Sequence, residues 1–416
     1  MSRVVILVID GFGVGAMPDA GAPRSADATA DTLGHLLDAH RANTGHRLPL
    51  PTLEALGLGL VHPHRDLART ASLPAAVGRA APGYPGADTY AGHQTMMGAD
   101  CSRVTVAGIA GHLDEVAEAL RADGHRTALL DGRPVLVVDG RVLVHDNLEA
   151  DPGVNWNVSA RLEDVPFAEI LAIAHAVRSV APVARVIAVG GHADAPLDAF
   201  VRDGDLGTVG LDTPASGFYR NGGLEVQHLG APLDRTRRLP ELAAGAGVPV
   251  TLVGKAADVL ACDAALCRPA VDTAEVLALT REAVRRAPAT ALIVGNVQET
   301  DLAGHQQDSA RYAAVLRQTD SGLGALLPCL SSPGDRLIVT GDHGNDPAVG
   351  HARHTREYVP VLIHRPEAAG LALLPPARTL ADVGATAAVA LGLRAAALAN
   401  GTPLLRPVAR STEVAG

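Results

Sequence analysis

The chain has 416 residues, 47% apolar and 19% charged, with a formal net charge of −10. That composition specifies a soluble globular protein rather than a disordered one, and the length exceeds what one hydrophobic core usually fills, so two domains are expected. With no basic block and only 2% aromatic residues, the chain offers neither a nucleic-acid footprint nor an anchor for an anionic membrane.

The opening "RVVILVID" is an apolar run ending at Asp10. It is too short for a signal peptide or a membrane span and predicts a first buried strand. "ADTYAGHQ" follows, with Asp88, Thr89 and His93, and places Thr89 between an acid and a glycine-containing turn. The stretch from roughly 99 to 229 reads differently. There "PVLVVDGRVLVHD" predicts a hairpin turning at Asp139 and Gly140. "VPFAEILAIAHAVRSV" predicts a helix and "ARVIAVGG" a strand, while "GHADAPLDAF" and "DTPASGFYRNGG" read as loops.

Beyond it, "VPVTLVGK" predicts a strand ending at Lys255, and "VDTAEVLALTREAVRRA" a helix whose Asp272 and Glu275 form a capping-box-like start. "TALIVGNVQETD" predicts a strand leading to Asp301, "DSARYAAVLRQTDSGLGALL" a helix, and "RLIVTGDH" a strand ending at Asp342 and His343. "YVPVLIH" and "TLADVGATAAVALGL" complete the series as strand and helix. This alternation predicts an α/β fold with a mostly parallel sheet flanked by helices. Sites in such sheets form beyond the carboxyl ends of the strands. The simplest organisation is a core of residues 1–98 and 230–416 interrupted by a smaller α/β cap at 99–229.

Cys101, Cys262, Cys267 and Cys329 form no CxxC pair, and reduced thiols in a cytoplasmic protein are expected. Of the 35 basic residues only Lys255 is a lysine. It is either a chance survivor on the surface or a position where a planar guanidinium does not fit. Asp10, Asp301, His305, Asp342, His343 and His354 fall at or near strand ends. A mixture of carboxylate and imidazole suits Mn²⁺ or Zn²⁺ better than Mg²⁺ or Ca²⁺, and two neighbouring ions need about six to eight donors. Two such ions can activate a hydroxyl and disperse the charge of a phosphoryl group, which makes Thr89 a candidate nucleophile. Singly, each residue has a plainer reading as helix cap, solvated imidazole or turn threonine. The combination carries the inference.

"VIDGFGVGAMPDA", "ADTYAGH", "GDHGNDP" and "HTREYVPVLI" resemble the phosphopentomutases of the alkaline phosphatase superfamily, in the same order and around a central insertion, so the resemblance spans essentially the whole chain. It implies a dimanganese site (zinc or magnesium being the alternatives), a threonine that carries phosphate, a sugar-binding cap and a sugar phosphate substrate, with no nucleic-acid or membrane partner. One metal would lie on Asp10, Asp342 and His343 with Thr89 facing it, the other on Asp301, His305 and His354, with Lys255 near the substrate. The implied reaction interconverts (deoxy)ribose 1-phosphate and 5-phosphate through phosphothreonine.

The chain also departs from the family. The Asp-x-x-x-His spacing of Asp301 and His305 resembles that of cofactor-independent phosphoglycerate mutases. "AGHQT" lacks the tryptophan and glutamate that the family has there. Val189 stands where the family's first phosphate-binding arginine falls, and "GLDTPASGFYRNGG" replaces a later arginine-rich loop, leaving Arg220 as a stand-in. "HDNLEADPGVNWNVSA", "NVQETDLAGHQQD" and "LVGKAADV" look more like a paralogous phosphopentomutase-like branch. In it Asp151, Asn155 and Asn157 either face a substrate or serve as turn and cap residues. His351 has no counterpart as a ligand. The alternatives are a mutase for another phosphorylated metabolite and a metal-dependent phosphatase or phosphodiesterase.

Overall fold

A strand covered on both faces needs apolar side chains at every position rather than at alternate ones. Arg3–Ile9 (RVVILVI) and Ala291–Val297 (ALIVGNV) meet that requirement, and they pair in parallel inside an eight-stranded sheet. The computed structural model that shows this describes residues 2–20 and 25–405. Across the sheet the strands run Leu266–Arg268, Val250–Gly254, Ala291–Val297, Arg3–Ile9, Arg336–Thr340, Val359–His364, Ala75–Ala80 and Ala372–Leu373. The pairings from the first edge to Arg336–Thr340 are parallel, and Val359–His364 is antiparallel to both its neighbours.

Period two decides which side chains face which layer. Val5, Leu7 and Ile9 pack against Leu33 and Leu37 of helix Thr32–Thr44, Val276 of Thr273–Arg286 and Leu316 of Ser309–Leu326. Val4, Ile6 and Val8 pack against Leu239, Ala256 and Val383 from the helices on the other side. Each fully buried aliphatic side chain contributes about 2 kcal/mol. The capping start at Asp272 forms as the sequence signals, its side chain accepting from the Glu275 backbone N–H, and Asp308 caps its helix in the same way through the Arg311 N–H.

One ion pair aligns the two strands that lead to Asp10 and Asp342. At their amino ends the Arg3 guanidinium lies 2.6 Å from Asp335, and the Arg3 backbone N–H also donates to that carboxylate at 3.1 Å. The pair fixes Val4 opposite Arg336, so Asp10 and Asp342 emerge together at the carboxyl ends.

The chain divides into two compact units: the described parts of Met1–Gly83, Gly92–Cys101 and Asp234–Gly416, and Tyr84–Ala91 with Ser102–Leu233. The second unit holds a six-stranded sheet in the order Glu225–Gly230, Arg185–Gly191, Asn155–Arg161, Val142–Asp146, Arg133–Val138 and Thr127–Leu130. Helices Leu113–Ala122 and Phe167–Val180 cover one face, closing over Trp156 and Val158. The hairpin turns at Asp139 and Gly140, both at positive φ (50° and 74°), the left-handed twist that tight hairpins need.

The loop readings of "GHADAPLDAF" and "DTPASGFYRNGG" are corrected. They contain the turn Leu197–Phe200 and the helical turn Thr213–Ser216, joined by the ribbon Val201–Asp203 and Val209–Leu211. Asp212 caps the second turn through the Ala215 N–H, with a proline in its first turn. Elements this short show no periodicity, so only their caps announce them. No described helix is long and apolar enough to cross a membrane.

Removing Asp335 leaves Arg3 without its partner at the start of the central strands. Asp335→Ala is expected to lower the unfolding free energy by about 3 kcal/mol, measured by urea denaturation of the metal-free protein.

Candidate metal centre

The central strands deliver their polar residues to one edge of the sheet. Asp10 directly follows Arg3–Ile9, and Asp342 and His343 follow Arg336–Thr340. Ala291–Val297 leads into helix Glu299–His305, whose Asp301 and His305 lie one turn apart on one face. His354 lies beside the bridge between Gly344 and Thr355, which folds the intervening loop back on itself. Ligating atoms of Asp10, Asp342 and His343 all lie within 4.8 Å of one another, as do those of Asp301, His305 and His354. The His343 and His354 rings stack at 3.8 Å, so the two groups adjoin.

Three buried carboxylates repel one another, and the site answers with cations. Lys255 Nζ sits 2.9 Å from Asp10 Oδ2 and 3.6 Å from Asp301 Oδ2. Burial and the neighbouring Asp342 push the Asp10 carboxyl up to about 6, although Lys255 pulls the other way. Burial also opposes ionisation of Asp342 and Asp301. His343 and His93 nevertheless hold Asp342 below the usual carboxylate range, and Lys255 with His354 and His305 does the same for Asp301. For His305, burial is outweighed by Asp301, and its imidazole rises to about 9. His354 falls to about 4 through burial and the charge of His343. Asp10 Oδ1 is buried, has no hydrogen-bond partner among the described residues and lies 3.5 Å from His343 Nε2. An unmet carboxylate oxygen amid three carboxylates and three imidazoles is a donor set that fits divalent cations.

The surrounding residues aim these donors. His343 and His305 are held through Nδ1 by the carbonyls of Gly344 (3.1 Å) and Ala352 (2.6 Å). Their Nε2 atoms therefore face the carboxylates, the usual way a backbone carbonyl orients a ligating imidazole. Asn296 Nδ2 donates to Asp10 Oδ2 and to His93 Nε2, each at 3.0 Å, and His93 Nδ1 reaches Asp342 Oδ2 at 3.2 Å. Asn345 donates to the Asp301 carboxylate at 2.8 Å. Asn296 was not apparent from the sequence; a polar residue in an otherwise apolar buried strand was the signal to follow.

Glu357 is a second unforeseen residue. Its carboxylate is fully buried and accepts from the backbone N–H groups of Gly15 and Thr32 and from the hydroxyls of Thr32 and Thr355. It thereby ties the loop after Asp10 to the segment after His354. A Cβ at Gly13 or Gly344 would lie 2.2 or 2.5 Å from its oxygens, so both positions require glycine. Burial pushes its carboxyl up to about 7. His351 lies outside both ligand groups, with Nε2 3.0 Å from Asp27.

In the second unit, Thr89 is the first residue of helix Thr89–Met96 rather than part of a turn. Asp88 makes this possible by capping the helix, accepting from the Ala91 N–H at 2.9 Å. Asp151 accepts from the Ala87 N–H at 3.3 Å, and Asn155 Nδ2 donates to Asp88 at 3.4 Å. Arg220 makes its contacts elsewhere: it is exposed, 3.0 Å from Asp194 and 3.4 Å from the Pro214 carbonyl. Arg185, which no spacing singled out, places its guanidinium on the Asp88 carboxylate.

Residues 240–395, which carry five of the six candidate ligands, match the Metalloenzyme superfamily. A phosphopentomutase of Anaeromyxobacter dehalogenans is 32% identical over 98% of this chain and 99% of its own length. A phosphopentomutase of Methylobacterium radiotolerans is 30% identical over 97% of this chain and all of its own. A solved Leishmania mexicana phosphoglycerate mutase is similar over 97% of this chain and 98% of that one, at 17% identity and a TM-score of 0.48. The protein is thus a metal-dependent phosphomutase with an α/β core. Within that class, the chain belongs to the phosphopentomutase family.

Two predictions concern the site's electrostatics. Lys255→Met removes the cation between Asp10 and Asp301, so the metal-free protein is expected to lose about 3 kcal/mol. Mn²⁺ should then raise the variant's melting temperature by more than it raises that of the wild type, as read by calorimetry with and without metal.

The second prediction concerns Glu357, whose folded-state pKa of about 7 lies above its ordinary 4.5. Its proton stabilises the folded state fully below 4.5, and that contribution is lost as pH rises through 7. Glu357→Gln has no such proton to lose. Urea titrations at about pH 5 and pH 8 should show the variant gaining stability relative to the wild type as pH rises.

Proposed function

We propose that this enzyme moves a phosphoryl group between two positions of a sugar monophosphate, using Thr89 as the phosphate carrier and two divalent ions, manganese by preference. The observation that supports it most is the pair of adjoining ligand groups, Asp10, Asp342 and His343 beside Asp301, His305 and His354. Ions held there would supply Lewis acidity, lowering the pKa of a hydroxyl nucleophile and dispersing phosphoryl charge. Thr89 opens its helix, and the positive end of a helix dipole favours a phosphate. His93 lies four residues along the same helix and touches Asp342. Lys255, between Asp10 and Asp301, would balance negative charge as phosphate arrives.

In this reading phospho-Thr89 gives its phosphoryl group to a free hydroxyl of the sugar phosphate. The bisphosphate turns over in the site and returns a phosphoryl group from its other position to Thr89. The proposed substrate pair is ribose 1-phosphate and ribose 5-phosphate, or the deoxy forms, in line with the similar proteins named as phosphopentomutases. A second reading, a mutase for a different phosphorylated metabolite, is favoured by two observations. Val189 is packed among apolar side chains, and Arg220 is engaged by Asp194.

Thr89→Ala is expected to reduce conversion of ribose 1-phosphate by at least about 10³-fold, to abolish phosphorylation of the protein by intact mass, and to leave two manganese ions per chain by elemental analysis. Full activity in the variant would overturn the carrier assignment. Release of inorganic phosphate at the rate of turnover would replace the mutase with a hydrolase.

A further inference from the structure

The helix that opens at Thr89 is fastened to the core through a buried arginine. Arg238 is 1% exposed, and a guanidinium kept from water has to be paired. Its Nε and Nη2 meet the Glu241 carboxylate, three residues on in helix Leu239–Gly245. Its Nη1 donates to Gln94 Oε1 at 2.6 Å. Gln94 is also 1% exposed, and its Nε2 donates to the Val259 carbonyl at 2.9 Å. One amide thus accepts from Arg238 and donates to Val259. Turned over, it would set N–H against guanidinium and carbonyl against carbonyl, so its orientation is fixed. All four residues lie in the first unit. Gln94 stands in "AGHQT", where the chain departs from the phosphopentomutase pattern.

Two of the elements so joined reach the candidate metal centre. Gln94 lies in helix Thr89–Met96, directly after His93, whose imidazole reaches Asp342. Val259 lies in helix Lys255–Leu260, which begins at the lysine between Asp10 and Asp301. The far end of the Thr89 helix is held separately. The Leu239 N–H donates to the Met97 carbonyl at 2.8 Å, and a Cβ at Gly384 would lie 2.3 Å from the Met96 carbonyl. Those contacts seat the end of the helix without tying it to the lysine helix. The Gln94 amide ties it.

We propose that Gln94 is a positioning residue: its amide, locked by Arg238 and Glu241, keeps the helix that carries Thr89 and His93 in register with the helix that presents Lys255. The inference deepens the phosphomutase reading and rests on it for Thr89 being the phosphate carrier. Phosphoryl transfer tolerates little misalignment between the carrier and the charges around it, so the coupling acts on the transfer step rather than on sugar binding.

The test uses the full-length, manganese-loaded Gln94→Met protein, whose thioether accepts only weakly from Arg238 and cannot donate to Val259. Both readouts are taken well below its melting temperature, where it is folded. Backbone hydrogen exchange, followed by mass spectrometry, should rise by about tenfold in segments 89–97 and 255–260 alike. With ribose 1-phosphate, kcat should fall by at least about tenfold while KM stays within about threefold of the wild type. Arg238→Met should lower kcat to a similar extent, and the double variant should fall no further than the worse single one, because both act through one amide. If Gln94→Met does not fold, Gln94→Glu, which keeps the Arg238 bond and loses the donor to Val259, carries the same expectation. Unchanged exchange in 255–260, an unchanged kcat, a loss confined to KM, or single effects that multiply in the double variant overturns the coupling. If exchange rises in both segments but the wild-type enzyme transfers no phosphoryl group between sugar positions, the coupling stands and the mutase reading falls.

Discussion

Three aspartates buried within a few ångströms of one another cannot all be ionised without compensating cations, and the core unit is organised around that constraint. Asp10, Asp301 and Asp342 are each at most 3% exposed. Lysine and imidazoles divide the balancing charge among them, unevenly. Asp342 and Asp301 are held ionised by their cationic neighbours, while Asp10 is pushed toward its neutral form. A cluster poised in this way has a large electrostatic reason to take up divalent cations, and proton release accompanies their binding.

The rest of the core keeps those groups from moving apart. A parallel sheet covered on both faces sends its strand ends to one edge, and the Arg3–Asp335 pair sets the register that brings Asp10 and Asp342 out together. Backbone carbonyls fix which nitrogen of His343 and His305 faces inward. Glu357 then ties the loop after Asp10 to the segment after His354, through contacts so close that Gly13 and Gly344 have no room for a side chain. Mutations at these supporting positions should act on metal affinity through geometry, without touching a ligand.

Much of this was legible in the sequence, for identifiable reasons. Apolar runs ending in acids and histidines gave both the buried strands and the candidate ligands, because strand length and strand-end polarity are local properties. Asp272 announced its helix because a cap acts within one turn. Supporting residues were harder. Asn296, Glu357 and Arg185 work through partners 286, 342 and 97 residues away in the chain, and no local pattern encodes such pairings. The backbone at Thr89 was harder to read. Gly92 suggested a turn, whereas the Asp88 cap starts a helix that carries the glycine inside it. The turns at Leu197–Phe200 and Thr213–Ser216 were too short to show a period.

The two units carry different parts of the account. The core supplies a charge arrangement that speaks for phosphoryl transfer. The second unit bears Thr89, the candidate phosphate carrier. The central claim is that the two ligand groups are two metal sites. Anomalous diffraction from crystals grown with Mn²⁺, recorded on either side of the manganese edge, tests it most directly. Two peaks are predicted, one on Asp10, Asp342 and His343 and one on Asp301, His305 and His354. A single peak, or manganese bound away from these six side chains, would contradict it.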